Sequence, residues 1–86
     1  MAYTLDIDPI ARAQIQALPA DAATALVKAF EVLALVPERG EPLNAHNPDG
    51  GMYQWVFDEG RGLITYLLLD AQHEVDVLVV TWIASG

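Results

Sequence analysis

Tyr3, Leu5 and Ile7 alternate with Thr4, Asp6 and Asp8. A period of two sends apolar side chains to one face of an extended strand and polar ones to the other, so this stretch reads as a strand with one wet face. The period then lengthens. Ala11, Ile15 and Leu18 recur at helical spacing and share a face. Asp8 can cap the free N–H groups of such a helix, and Pro9 suits its first position. Leu18-Pro19 breaks it. Ala22, Leu26, Ala29, Leu33 and Val36 form a second stripe, flanked by Val27 and Phe30, which predicts a helix from about residue 20 to Val36, stopped by Pro37. Asp21 falls in its first turn, where the helix dipole favours an anion. Lys28 and Glu31 lie on the wetter side. The tight turn between the two helices predicts an antiparallel hairpin.

Residues 38–51 carry Gly40, Pro42, Asn44, Asn47, Pro48, Asp49, Gly50 and Gly51, and read as a long loop. Three apolar runs follow: Met52–Phe57, Leu63–Leu69 and Val75–Ile83. The glycine-bearing hairpin Asp58-Glu59-Gly60-Arg61-Gly62 joins the first two, and the polar turn Asp70–Glu74 joins the last two. The expected fold is α+β in the order β-α-α-β-β-β. A small, mostly antiparallel sheet carries a helical hairpin on one face, in a single domain spanning residues 1–86.

The last two runs are apolar on both faces. Ile64, Tyr66 and Leu68 lie on one side of the second run, with Leu63, Thr65, Leu67 and Leu69 on the other. In the third run Val75, Val77, Val79 and Ile83 alternate with Leu78, Val80 and Trp82. Such strands are covered on both sides, and two helices cover only one. The expectation is a second face built from Leu63, Leu67, Leu69, Leu78, Val80 and Trp82 that meets a protein partner. The other reading is that this face forms the inside of a strongly curled sheet.

Charge narrows the choice of partner. The 86 residues include 12 acidic and 4 basic side chains, for a net charge of -8. The four cations are Arg12, Lys28, Arg39 and Arg61. Nucleic-acid phosphates and anionic membranes need cationic surface, so neither RNA nor a membrane is the expected partner. Although 53% of residues are hydrophobic, they come in runs well below the roughly 20 residues that span a bilayer. Residues 1–6 lack the basic flank and apolar core of a secretory signal, so a cytoplasmic location is expected. The absence of cysteine removes disulfides, thiolate metal sites and cysteine nucleophiles.

The order of elements, the Leu18-Pro19 break, and the segments Leu33-Ala34-Leu35-Val36-Pro37, Gly51-Met52-Tyr53-Gln54-Trp55-Val56-Phe57, Leu63-Ile64-Thr65-Tyr66 and Val77-Leu78-Val79-Val80-Thr81-Trp82-Ile83 resemble the RelE/ParE toxin superfamily over nearly the whole chain. The resemblance implies a small βααβββ domain paired with an antitoxin. RelE-like members cut messenger RNA on the ribosome, and ParE-like members poison DNA gyrase. The functional positions depart from the family pattern. Where an Arg is common in the first strand after the loop, this chain reads Tyr53-Gln54-Trp55-Val56. Leu63 stands where an Arg precedes the Tyr of the next strand, here Tyr66. Thr81-Trp82-Ile83 replaces the basic or imidazole residue and following Tyr or Lys of the last strand. RelE-type cleavage needs a base for a 2′-hydroxyl, cations for developing charge, and an acid for the leaving oxygen.

Arg39, His46, Arg61 and Tyr66 are the candidates for such chemistry. Two of them have a plainer role: Arg61 as a hairpin charge paired with Asp58 or Glu59, and His46 as a loop residue. His73, beside Glu74, reads as a turn residue. Neither histidine has a second one at metal-ligand spacing, and the glycines do not form a phosphate-binding loop, so no metal or cofactor is expected. Asp6, Asp8, Asp58, Glu59, Asp70, Glu74 and Asp76 read as strand-edge and turn acids. Tyr53, Trp55, Tyr66 and Trp82 read as core or interface rather than base-stacking groups, since no Lys or Arg is interleaved with them. Three readings follow. The first is a toxin-family protein, degenerate at the ribonuclease site, that binds an antitoxin or itself. The second is an active messenger-RNA endoribonuclease. The third is an unrelated homodimeric α+β module.

Overall fold

The computed structural model describes residues 2–43 and 51–83. Strand β1 spans Thr4–Ile7, helix α1 Pro9–Gln16 and helix α2 Ala20–Leu35. Strands β2 (Glu41–Pro42), β3 (Met52–Phe57), β4 (Gly62–Leu69) and β5 (Glu74–Trp82) follow. The sheet order is β1-β5-β4-β3-β2. β1 runs parallel to β5, and the other pairings are antiparallel.

Local chemistry sets the helix boundaries. The Asp8 side chain accepts the Ile10 N–H at 2.9 Å and Pro9 opens the helix, as the sequence predicts. α2 ends at Leu35, one residue before the predicted stop, and Pro37 begins a 3-10 turn through Arg39. Ala22, Leu26, Ala29 and Leu33 are buried, so the predicted stripe is the face α2 turns inward. α1 packs over β5 and α2 over β3. Between the helices and the sheet lies one core, in which Leu26, Leu33, Ile64, Tyr66, Val75 and Val77 are the largest fully buried side chains besides Pro37.

Two readings of the sequence change. Within residues 38–51, Glu41 and Pro42 form a short edge strand paired with Gln54 and Tyr53. Two residues are too few to show a period, and proline is tolerated at a sheet edge. The second change concerns β5. Thr65 faces Val79 but Tyr66 faces Val77, so Leu78 is an extra residue in the ladder. This bulge reverses the alternation beyond it. Val80 is therefore 3% exposed, within the core beneath the helices, while Val79 is 36% and Ile83 65% exposed. Trp82 follows Val80 to the helix side, where it packs on the core and stacks with Phe57 at 6.1 Å. The sequence placed Val80 and Trp82 on the face opposite the helices. The bulge moves both off it.

Candidate interaction face

Residues paired across neighbouring strands share a face, so the register defines the surface opposite the helices. One row runs Met52, Leu67, Asp76, Asp6. A second runs Leu69, Glu74, Thr4, and a third Val56, Leu63, Thr81. Leu63, Leu67, Leu69 and Leu78 are half-buried, and Val56 is 60% exposed. The first two rows are graded, apolar over β3 and β4 and acidic toward β5 and β1, while between the first and third rows the register sets Glu41, Gln54, Thr65 and Val79 side by side.

At the acidic end, oxygens of Asp6, Glu74 and Asp76 all lie within 4.8 Å of one another. The Oδ1 atom of Asp76 is buried without a hydrogen-bond partner. The Glu74 carboxyl is held above its ordinary value of 4.5, first by its hydrogen bond with Asp76, then by burial and by the charges of Asp76 and Asp6. Oxygen donors of this kind suit hard cations. In the sequence these acids read as separate strand-edge residues. The spacing of Glu74 and Asp76 puts those two on one side of a strand, but only the parallel β1–β5 pairing brings Asp6 to them.

None of the residues of β1 to β5 is Lys or Arg. The four cations sit elsewhere. Arg12 donates from Nε to the Ile7 carbonyl at 3.1 Å, covering part of the β1 edge. Lys28 lines a groove of about 520 Å³ between α2 and β3, with Val32, Trp55 and Val56. Arg39 lines a smaller cleft beside Glu41, Gln54 and Trp55. Arg61 pairs with Asp58 at 2.8 Å and lies 5.2 Å from the centre of the Trp82 ring. The plain role expected of Arg61 is thus the observed one, with a cation–π contact added.

Tyr66 is the clearest departure from a catalytic arrangement. It is 0% exposed, and its hydroxyl donates to the Pro37 carbonyl at 2.5 Å. Burial pushes its pKa well above the ordinary tyrosine value, helped by Tyr53. A phenol so placed serves as a donor to the backbone, not as a base for a substrate. His46 lies outside the described residues. His73 stacks on Tyr3 at 3.9 Å. Tyr3 in turn donates to Asp70 at 2.6 Å, and its pKa is pushed up to about 12, chiefly by that bond.

A helical hairpin laid over a five-stranded mixed sheet, with β1 parallel to the last strand, is the architecture of the RelE toxins. The chain superposes on a chain of the RelBE2 toxin–antitoxin complex of Mycobacterium tuberculosis with a TM-score of 0.79 and 27% identity, covering 95% of this chain and 99% of that one. It matches the isolated Escherichia coli RelE toxin with a TM-score of 0.78 and 20% identity over 99% of this chain and 88% of that one. A chain of the archaeal RelE–RelB complex of Pyrococcus horikoshii gives 0.68 and 14% identity, with full coverage of both. No protein-family model and no curated protein matches the sequence. The chain thus has the fold of the RelE toxins, as the order of its elements and its strand segments suggested. Among the described residues no helix is long and apolar enough to cross a membrane.

Proposed function

We propose that this chain is a RelE-fold member of a toxin–antitoxin system that acts through protein contact and has lost the ribonuclease chemistry. The observation that carries this reading is the sheet itself: a RelE fold whose strands hold Asp6, Glu41, Glu74 and Asp76 but no Lys or Arg. Cleaving RNA means gripping phosphates and stabilising a developing negative charge, and both need cations. Arg61 and Tyr66 are already engaged with Asp58 and Pro37. The solved RelBE complexes pair a toxin with an antitoxin. A protein partner of that type, or a second copy of the chain, fits the half-buried leucines opposite the helices. A cytoplasmic setting is consistent with this use.

The test is direct. The chain is expressed alone and in the presence of the product of any neighbouring small gene. Growth should continue, purified protein should leave ribosome-bound messenger RNA intact, and the neighbour's product should co-purify. Growth arrest with cleavage of messenger RNA would establish the active endoribonuclease instead.

A further inference from the structure

We propose that the sheet face opposite the helices docks a cationic amphipathic segment of a second protein, with its apolar side on β3 and β4 and its Lys or Arg side chains over Asp6, Glu74 and Asp76. This rests on the reading above and names the surface and the partner's chemistry. Charge complementarity along these graded rows selects this occupant. The row Met52–Leu67–Asp76–Asp6 passes from apolar to anionic within four strands, and Leu69–Glu74–Thr4 repeats the change beside it. An amphipathic segment of positive charge matches both ends at once.

Other occupants match only one end. RNA and anionic lipid find anions where they need cations. A second copy offers leucines to leucines but brings its own Asp6, Glu74 and Asp76, with no strand cation to meet them. The acids also gain from a cationic neighbour. Three carboxylates within 4.8 Å repel one another. An ammonium or guanidinium group beside them relieves the repulsion.

The probe is an amphipathic helical peptide of about five turns, with leucine on one side and lysine on the other. Its counterpart carries glutamate in place of lysine. The wild-type chain should bind the lysine peptide in a salt-sensitive way and ignore the glutamate peptide. Combining Asp6→Asn, Glu74→Gln and Asp76→Asn should weaken binding by about tenfold or more, and Leu67→Gln should weaken it as well. Asp21→Asn, Glu31→Gln and Glu59→Gln together remove the same charge elsewhere and should leave binding within about twofold of wild type. The carboxamide changes remove repulsion, so folding is retained, and circular dichroism checks this for every variant. If the triple variant unfolds, Glu74→Gln alone is compared with Glu31→Gln. Equal losses in the two charge-matched variants, or no preference for the lysine peptide, overturn the proposal. So does a wild-type dimer that Leu67→Gln dissociates, which would make the occupant a second copy. These outcomes leave the non-ribonuclease reading standing, because its own test reads growth and messenger RNA.

Discussion

The Tyr66 hydroxyl donates to the Pro37 carbonyl at 2.5 Å, tying the middle of β4 to the turn that leaves α2. The contact requires a glycine nearby: a Cβ on Gly40 would lie 1.9 Å from the Tyr66 oxygen. A similar approach occurs at Gly62, where a Cβ would meet the Phe57 ring at 2.2 Å. Tyr66 therefore holds the fold and is not free to face a substrate.

Tyr66→Phe should lower stability by about 0.5–1.5 kcal/mol, the net worth of one hydrogen bond, since the Pro37 carbonyl keeps its longer bond from the Gly40 N–H at 3.3 Å. Gly40→Ala should destabilise through overpacking, by about 1–3 kcal/mol or more. Urea midpoints measure both. A neutral Tyr66→Phe would show that the Gly40 N–H alone satisfies the Pro37 carbonyl.

Leu33 is fully buried under the sheet's helical layer, while Lys28 is an exposed residue lining the groove between α2 and β3. Leu33→Ala should cost about 2–5 kcal/mol through lost burial and a cavity. Lys28→Ala should change stability by less than about 0.5 kcal/mol. Similar shifts in denaturant midpoint for the two would contradict the observed orientation of α2.

The periodic parts of the chain were legible because burial writes a period into the sequence. The alternation at Tyr3–Ile7, the stripe from Ala22 to Leu33 and the Asp8-Pro9 start give elements within a residue or two of those observed. The stripe's last predicted member, Val36, lies beyond the helix as its C-terminal cap and is only half-buried. The bulge at Leu78 was not legible, since Val77, Leu78, Val79 and Val80 are all apolar and an inserted residue leaves no gap in such a run. That is why Val80 and Trp82 were placed on the wrong side while Leu63, Leu67 and Leu69, in a strand whose own alternation is unbroken, were placed correctly opposite the helices. The acidic group could not be read either. Its members come from opposite ends of the chain, and a parallel pairing in a specific register brings them together.

The bulge also makes a checkable demand on α1. The Val80 N–H donates to Gln14 Oε1 at 2.7 Å, so a helix side chain satisfies a backbone donor of β5. Gln14→Leu keeps the bulk and removes the acceptor. It should cost about 1–3 kcal/mol, as expected for an orphaned buried donor, and Gln14→Glu should retain much of that stability because a carboxylate oxygen still accepts. Amide hydrogen exchange at Val80 gives a local readout, with faster exchange expected in Gln14→Leu and not in Gln14→Glu. Unchanged exchange in both would mean that the N–H is protected by burial alone.

The acidic group sets the pH dependence. The carboxyl of Glu74 is held above its ordinary value of 4.5, first by its hydrogen bond with Asp76, then by burial and the charges of Asp76 and Asp6. A folded state that raises an acid's pKa binds the proton more tightly than the unfolded chain does. Its contribution to stability is therefore fully present below the unfolded value and is lost as pH rises through the folded one. Among the groups facing Glu74, Asp6 comes from β1 and Asp76 from β5, and both repel its charged form. Near pH 7 the group is thus a standing source of repulsion, and Glu74→Gln should be more stable than wild type there. Other carboxylates in the chain titrate over the same range, so the informative quantity is the difference between the two proteins. That difference should grow as pH is raised from about 4.5 and shrink on acidification. Thermal midpoints of wild type and Glu74→Gln across that interval decide it. A constant difference would mean that Glu74 titrates alike in the folded and unfolded chains and that the three carboxylates do not interact.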